Sequence, residues 1–324
     1  MPVPRTAQFI DDDFFIWGAS MYRDEGGTCH LFYSRWPRAL GMNAWVTHSE
    51  IAYAVSQSPT GPYRFVNVAL PKRDREYWDG LSTHNPTIHA FNGQLYLYYT
   101  GNTGDGQHIP HGLNWTHRNR QRIGVAVSRF PWGPWERNPS ALIDTGVDPE
   151  APDNLCTNNP SVTRMNDGKY LMVYKAVASK NPLPFGGPVT HMAAIASDPT
   201  GPFKKFNHPI FTIPGNQFPA EDPYIWNDGS TYYAIVKDMD GGFTKRGKSL
   251  CLFSSDNGID WSVADHPLVA IPEITWDDGV VQKVHRIERP QLWLENGKPG
   301  VLFCAVSPNQ SEEHSFNVHI PLAL

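Results

Sequence analysis

Polar and apolar positions in this chain fall into a phrase that recurs along its length. An acidic, amide or imidazole residue precedes a proline, two or three apolar residues follow, and a Gly-containing turn leads into an aromatic-rich run. The phrase reads His84-Asn85-Pro86-Thr87-Ile88 before Asn92-Gly93 and Leu95 to Tyr99, and again Asn158-Asn159-Pro160-Ser161-Val162 before Asp167-Gly168 and Tyr170 to Tyr174. Glu221-Asp222-Pro223-Tyr224-Ile225 precedes Asp228-Gly229 and Tyr232 to Ile235, and Glu288-Arg289-Pro290-Gln291-Leu292 precedes Asn296-Gly297 and Val301 to Phe303. Each copy predicts two strands joined by a tight hairpin, because short apolar runs bounded by Asn-Gly or Asp-Gly have the period and punctuation of strands.

The residues before the prolines, 85, 159, 222 and 289, lie 74, 63 and 67 positions apart, an average of 68. That period is too long for a helical repeat and fits a four-stranded blade with sizeable loops. A degenerate first copy lies 66 residues before Pro86, at Ser20 within Phe15 to Tyr22, followed by Gly26-Gly27 and His30 to Tyr33. A second repeat agrees. Ile51 to Ser56 leads to Gly61-Pro62-Tyr63, Ile123 to Ser128 to Gly133-Pro134-Trp135, and Met192 to Ser197 to Gly201-Pro202-Phe203, while Leu250 to Ser255 leads to Gly258 and Trp261. These read as third strands turning into short outer strands. The expected fold is an all-β, five-bladed β-propeller spanning residues 1–324 as one domain. The fifth unit runs out after Ser315 to Ile320, so Thr6 to Ile10 is expected to supply its outer strand and close the ring.

Composition changes this picture little. Charged residues make up 18% of the chain and aromatics 12%, with 27 Gly and 29 Pro, as many short strands and turns require. The net charge of −5, with only short basic stretches such as Lys204-Lys205 and Arg118 to Arg122, argues against a nucleic-acid partner. No apolar run is long enough to span a bilayer, and the opening Met1-Pro2-Val3-Pro4-Arg5 has no secretory character, so a soluble protein of unassigned compartment and oligomeric state is expected. Cys29, Cys156, Cys251 and Cys304 are widely spaced and read as reduced core residues, with no zinc site among them.

In a propeller the heads of the innermost strands and the loops between second and third strands meet at one end of the central channel. Around the repeated prolines that end gathers His84, Asn85, Asn158, Asn159, Glu221, Asp222, Glu288 and Arg289, with His285 just upstream. Asp13, Asp79 and Asp153 stand seven residues before the proline position in the first three copies. The second-to-third-strand loops add His48, Glu50 and His191, and Trp17, Trp45, Trp78 and Trp115 lie near enough to stack on sugar rings. Paired carboxylates facing one pocket are what glycosidic cleavage needs, one protonating the leaving oxygen and the other activating water or attacking the anomeric carbon.

These features resemble the five-bladed β-propeller glycoside hydrolases of the superfamily containing families 43, 32, 68 and 117, over most of the chain. In family 43 the heads of blades three and four read Asp-Pro and Glu-Gly-Pro, where this chain has Asn159-Pro160 and Glu221-Asp222-Pro223. The resemblance implies an acid role for Glu221 and an Asn159 in place of the pKa-modulating Asp. Family 43 also carries its base in a first-blade Asp-Pro, where this chain reads Ala19-Ser20 and the nearest upstream carboxylate is Asp13. It thus implies a divergent relative, nearer the family 117 type in which a His serves as acid, with His285 the chemical analogue.

The expected activity is hydrolysis of a terminal glycosidic bond in a plant or algal oligosaccharide, without a cofactor or catalytic metal, although a central cation or water fits the channel. Glu221 or His285 is the expected acid and Asp13 the base, with Asp222 or Glu288 orienting substrate and tuning pKa. Trp17, His48, Glu50, Asp79, His84, Asn85, Asn159, His191 and Arg289 complete the expected substrate contacts. Each has a structural counterpart: Asp13 in a solvated Asp11-Asp12-Asp13 loop, Asp79 and Asp153 in turns, and Glu288 in an ion pair with Arg286 or Arg289. Two other functions fit the same residues, a carbohydrate-binding propeller without catalysis and a glycoside phosphorylase using Arg120, Arg122, Arg286 and Arg289.

Overall fold

A computed structural model describes residues 1–322. Five four-stranded antiparallel sheets form a ring of blades, the arrangement the repeat predicts. In chain order the innermost strands are Phe14–Arg23, Ser82–Phe91, Cys156–Arg164, Ala220–Asn227 and Arg286–Glu295. Blade five contains only three strands of its own, and Gln8–Ile10 pairs antiparallel with Phe316–Pro321 in the register Gln8 to Val318. The N-terminal segment therefore supplies the fourth strand of blade five, joining the first and last parts of the chain in one sheet.

Apolar side chains on the blade faces pack between neighbouring blades. Between blades two and three, Tyr98, Val125, Val162, Tyr174 and Met192 form one buried cluster, and the other junctions have equivalents. The four cysteines are free and buried, consistent with apolar packing. A hairpin of Glu273–Thr275 and Val281–Lys283 follows blade four, and its neighbour Trp276 is fully buried near Val3, whose N–H donates to the Thr275 carbonyl at 2.8 Å. Two one-turn helices, Trp45–His48 and Trp115–Asn119, lie in the second-to-third-strand loops of blades one and two. Among the described residues no helix is long and apolar enough to cross a membrane.

The innermost strands share one irregularity that places the site. Their pairing with the second strands skips at Trp17/Ala19, His84/Thr87, Asn158/Ser161, Glu221/Tyr224 and Glu288/Gln291. At each skip one residue adopts the left-handed region: Gly18 at φ 52°, Asn85 at 54°, Asn159 at 53°, Asp222 at 56° and Arg289 at 54°. Such a bulge re-aims a side chain, here toward the channel. Asn and Asp tolerate this conformation better than other residues, and glycine has no steric penalty there at all. Gly18 is therefore the first-blade counterpart of Asn85, and the proline position falls on Ala19 rather than Ser20. The expected first copy was one residue out of register.

Candidate active site

The bulges create two rings of side chains at one mouth of the channel. The outer ring, one residue before each bulge, is Trp17, His84, Asn158, Glu221 and Glu288, and all five line a cavity of about 490 Å³. The inner ring consists of the bulged residues themselves, and its four side chains line the same cavity. Loops between second and third strands complete the wall with Trp45, Trp115, Arg118, Gln121, Phe185, Met239 and Lys248, joined by Trp36 and the blade-five residues His285 and Arg286.

Hydrogen bonds in the inner ring run one way, towards Asp222. The Asn85 amide donates to Asn159 Oδ1 at 2.6 Å, and the Asn159 amide donates to Asp222 Oδ1 at 2.6 Å. From the other side the Arg289 backbone N–H donates to Asp222 Oδ2 at 3.2 Å and its Nη1 to Oδ1 at 3.4 Å. The loop closes over blade one, where a Cβ on Gly18 would stand 3.3 Å from Arg289 Nε. Arg289 thus occupies the space a first-blade side chain would use. Burial pushes the Asp222 carboxyl up to about 6, against the pull of Arg289 and with help from Glu221 and Glu288.

The outer-ring acids are each served by the preceding blade. Lys175 on the second strand of blade three donates to Glu221 of blade four, and Lys237 on the second strand of blade four donates to Glu288 of blade five. These lysines pair in register with Asn158 and Glu221. The corresponding Ser34 and Thr100 hydroxyls instead accept the backbone N–H of Asn85 and Asn159, so one register position supplies the inter-blade link in blades one to four. Burial opposes ionisation of Glu221, yet Lys175 and Lys237 outweigh it and bring its carboxyl down to about 2. Glu221 is a carboxylate at any physiological pH. Burial alone would depress the Lys237 ammonium, but Glu288, Glu221 and Asp222 hold it raised.

Two histidines in this region are neutral. Burial, reinforced by Arg289 and Lys175, takes His84 down to about 3; it lines the cavity edge-on to Trp45. His191 is also depressed to about 3 by burial and Lys175, and it sits behind the cavity wall against Phe211 rather than lining it. His285 is different, being partly exposed at the cavity edge. Burial, Lys248 and Arg286 lower its pKa from the ordinary value.

The structure brings together Trp17, Trp45, His84, Asn85, Trp115, Asn158, Asn159, Glu221, Asp222, His285, Glu288 and Arg289 among the residues expected from sequence. It separates the others. Asp13 is exposed in the turn before blade one, its N–H donating to Asp11 Oδ1 at 2.9 Å, and it does not line the cavity, so the base expected there has no geometric basis. Asp79 is fully buried away from the cavity, accepting from Tyr99 at 2.7 Å, Arg73 Nε at 2.6 Å and Arg137 at 3.3 Å. Asp153 repeats that brace with Tyr174 at 3.0 Å and Lys205 at 2.6 Å, which makes both aspartates ties between strands. Glu50 pairs with Arg35 at 2.9 Å, and His48 faces His108 outside the cavity. Trp78 stacks on Tyr99, with ring centroids 5.7 Å apart, and is likewise outside. Glu288 pairs with Lys237 rather than either neighbouring arginine. Arg120 and Arg122 line a separate depression, where Arg122 meets Asp144 at 2.5 Å, so the four-arginine phosphate pocket is not assembled.

Sequence reasoning missed Lys175, Lys237, Trp36 and Arg118. The lysines had a signal, since each interrupts an apolar second strand at the same register position, where a buried ammonium requires a partner. With them, the lining carries six cations, Arg118, Lys175, Lys237, Lys248, Arg286 and Arg289, against three carboxylates. Arg286 also pairs with Glu312. Arg118 donates to the Asn119 side chain and the Phe185 carbonyl, so it and Lys248 have no carboxylate partner among the described residues.

No family model matches the chain, and no curated protein sequence does. Solved structures do match. A family 117 glycoside hydrolase, Zg3597 of the marine bacterium Zobellia galactanivorans, superposes with a TM-score of 0.62 at 19% identity, covering 96% of this chain and 85% of that one. The xylosidase/arabinofuranosidase CoXyl43 from a compost metagenome, solved with xylotriose, gives 0.63 at 18% identity over 100% and 96% of the two chains. A further protein described only as a glycoside hydrolase gives 0.71 at 14% identity over 99% and 93%. At these identities the shared property is the architecture: this chain is a five-bladed β-propeller of the kind on which those glycoside hydrolases are built.

Proposed function

We propose that this protein is a glycosidase that removes a terminal sugar from an oligosaccharide. One observation carries the reading: Glu221 and Glu288, from adjacent blades, enter one tryptophan-lined cavity, each bound to a lysine of the blade before it. Glycosidic cleavage requires a base or nucleophile and a proton donor about one small space, which His285 shares with these carboxylates, and aromatic walls present flat apolar faces to sugar C–H groups. The fold shared with glycoside hydrolases supports the same reading.

Glu221, held as a carboxylate by Lys175, takes the role of base or nucleophile at the anomeric carbon. A group so strongly acidic holds no proton to give, which removes it from the acid role its position implied. His285, at the solvent edge of the cavity, is the proton donor to the leaving oxygen, while Glu288 and Asp222 orient substrate and shape the field. A screen of aryl glycosides and plant or algal oligosaccharides, followed by NMR of the first-formed anomer, tests the activity and its stereochemical course together. Sugar binding without turnover across that panel would leave a lectin-like propeller instead.

The proton-donor assignment predicts a pH profile. His285 acts only as imidazolium, and its pKa is lowered, so kcat declines as pH rises through a value below the ordinary histidine value of about 6.5. Glu221 stays ionised far below that, giving an optimum on the acid side of neutrality. The His285→Gln variant loses the alkaline limb and about 10²-fold in kcat on alkyl glycosides. It retains near-parental rates on dinitrophenyl glycosides, whose leaving group needs no proton. An unchanged limb in His285→Gln removes His285 from the role.

A further inference from the structure

The inner ring leaves one strong donor edge without a protein partner. Arg289 is 1% exposed, and its backbone N–H and Nη1 are turned to Asp222, but Nε and Nη2 have no hydrogen-bond partner among the described residues. Those two nitrogens form the side-on fork of a guanidinium, whose parallel N–H groups match the two oxygens of a carboxylate. Leaving such a buried fork unsatisfied costs free energy, so a ligand group that completes it gains correspondingly. The fork lies over Gly18, the one inner-ring position with no side chain, and Arg289 lines the cavity. Every other blade places an amide, a carboxylate or the guanidinium itself at that level.

The surroundings favour a negative guest. The cavity lining holds six cations against three carboxylates, in a chain whose overall charge is −5, and two of those cations lack a carboxylate partner among the described residues. A cleft of one sign concentrates ligands of the other. We infer that the sugar accepted by this site carries a carboxylate, as a hexuronate does, and that the Nε/Nη2 edge of Arg289 above Gly18 receives it. This deepens the glycosidase reading and rests on it. The substrate's own carboxylate then completes the Arg289 fork that no protein group among the described residues satisfies, while Glu221 and His285 remain free for chemistry.

Binding separates this inference from catalysis. Calorimetry on the purified Glu221→Gln protein compares D-galacturonate and D-glucuronate with D-galactose and D-glucose, pairs that differ only at C6. At least one uronate is expected to bind about tenfold or more tighter than its neutral partner, a difference of about 1.4 kcal/mol. Gly18→Asp, combined with Glu221→Gln, supplies an internal carboxylate to the fork. Arg289 must yield slightly to the new Cβ, but the other blades hold Asn or Asp in the same left-handed conformation, so it should fold, with a modestly lowered melting temperature. In it, and in Arg289→Lys, uronate affinity should fall to the neutral-sugar level.

Equal affinity for both sugars of each pair, binding of none, or full uronate preference in a folded Gly18→Asp protein overturns the proposal. Inorganic phosphate provides the other arm: if phosphate raises parental turnover and yields a sugar phosphate, the fork serves phosphorolysis and the uronate assignment falls. Turnover confined to neutral glycosides sinks the inference and leaves the glycosidase. Uronate preference in a parent that hydrolyses nothing does the reverse.

Discussion

Glu221→Gln is expected to lower kcat by about 10²–10⁴-fold while KM changes little, the range over which a positioned base or nucleophile acts. The amide keeps the shape of the side chain and removes both its charge and its lone-pair basicity. Since Glu221 is ionised to about pH 2 in the parent, the loss should be the same from pH 5 to pH 8 and should not be recovered by acidification. That flatness separates a chemical role from a structural one, because unfolding from an unpaired Lys175 would show in the melting temperature and vary with pH. Lys175 is left facing Gln, and breaking a largely buried pair destabilises the protein, so activity must be read well below the melting transition. Lys175→Met should act in the same direction through the same carboxylate, raising its pKa from about 2 and moving the acid limb of the pH profile upward. A Glu221→Gln protein within about tenfold of the parent would remove Glu221 from the chemistry and move the base to Glu288.

The architecture was legible because a repeat exposes it several times. Any one of Pro86, Pro160, Pro223 and Pro290 could head an isolated strand, but four at similar spacing impose one unit on nearly the whole chain. The site was legible at its mouth for the same reason: a polar pair repeatedly placed at the head of apolar strands marks where strands leave the core. What failed was local register in the one copy lacking both the polar pair and the proline. Gly18 shows only through its backbone conformation, which an alignment by residue type cannot see, so the first copy was centred on Ser20 and an upstream acid, Asp13, was recruited to fill the vacancy. Asp79 and Asp153 misled in another way. They do form a repeat, but it is a repeated strand tie through Tyr99 and Tyr174, chemically similar to a site and spatially apart from it. Lys175 and Lys237 were overlooked because their partners belong to the next blade, 46 and 51 residues away.

Arg289→Met should destabilise the fold by about 3–5 kcal/mol, the cost of removing one partner from a buried ion pair, and should do so in a pH-dependent way. Asp222 is 3% exposed and would keep the Asn159 amide and the residue 289 backbone N–H, but no compensating charge at hydrogen-bond distance. Its folded-state pKa, already raised to about 6 by burial, would rise further once the guanidinium is gone. A carboxyl whose folded pKa exceeds its unfolded value of about 3.9 binds protons more tightly when folded, so stability falls as pH rises between the two values. The parent therefore loses this contribution between about pH 4 and 6, and Arg289→Met loses it over a window extending upward past 6. Urea titrations at pH 5 and pH 8 should show a larger deficit at pH 8. Adding Asp222→Asn to Arg289→Met removes the stranded charge and should restore much of the lost stability at pH 8, with little gain at pH 5. If Arg289→Met is equally stable at both pH values, or Asp222→Asn fails to rescue it, the inner ring is not held by convergence on one charged carboxylate. Its hydrogen bonds would then act as neutral ties, and the open Arg289 fork would have no anchored position from which to meet a substrate.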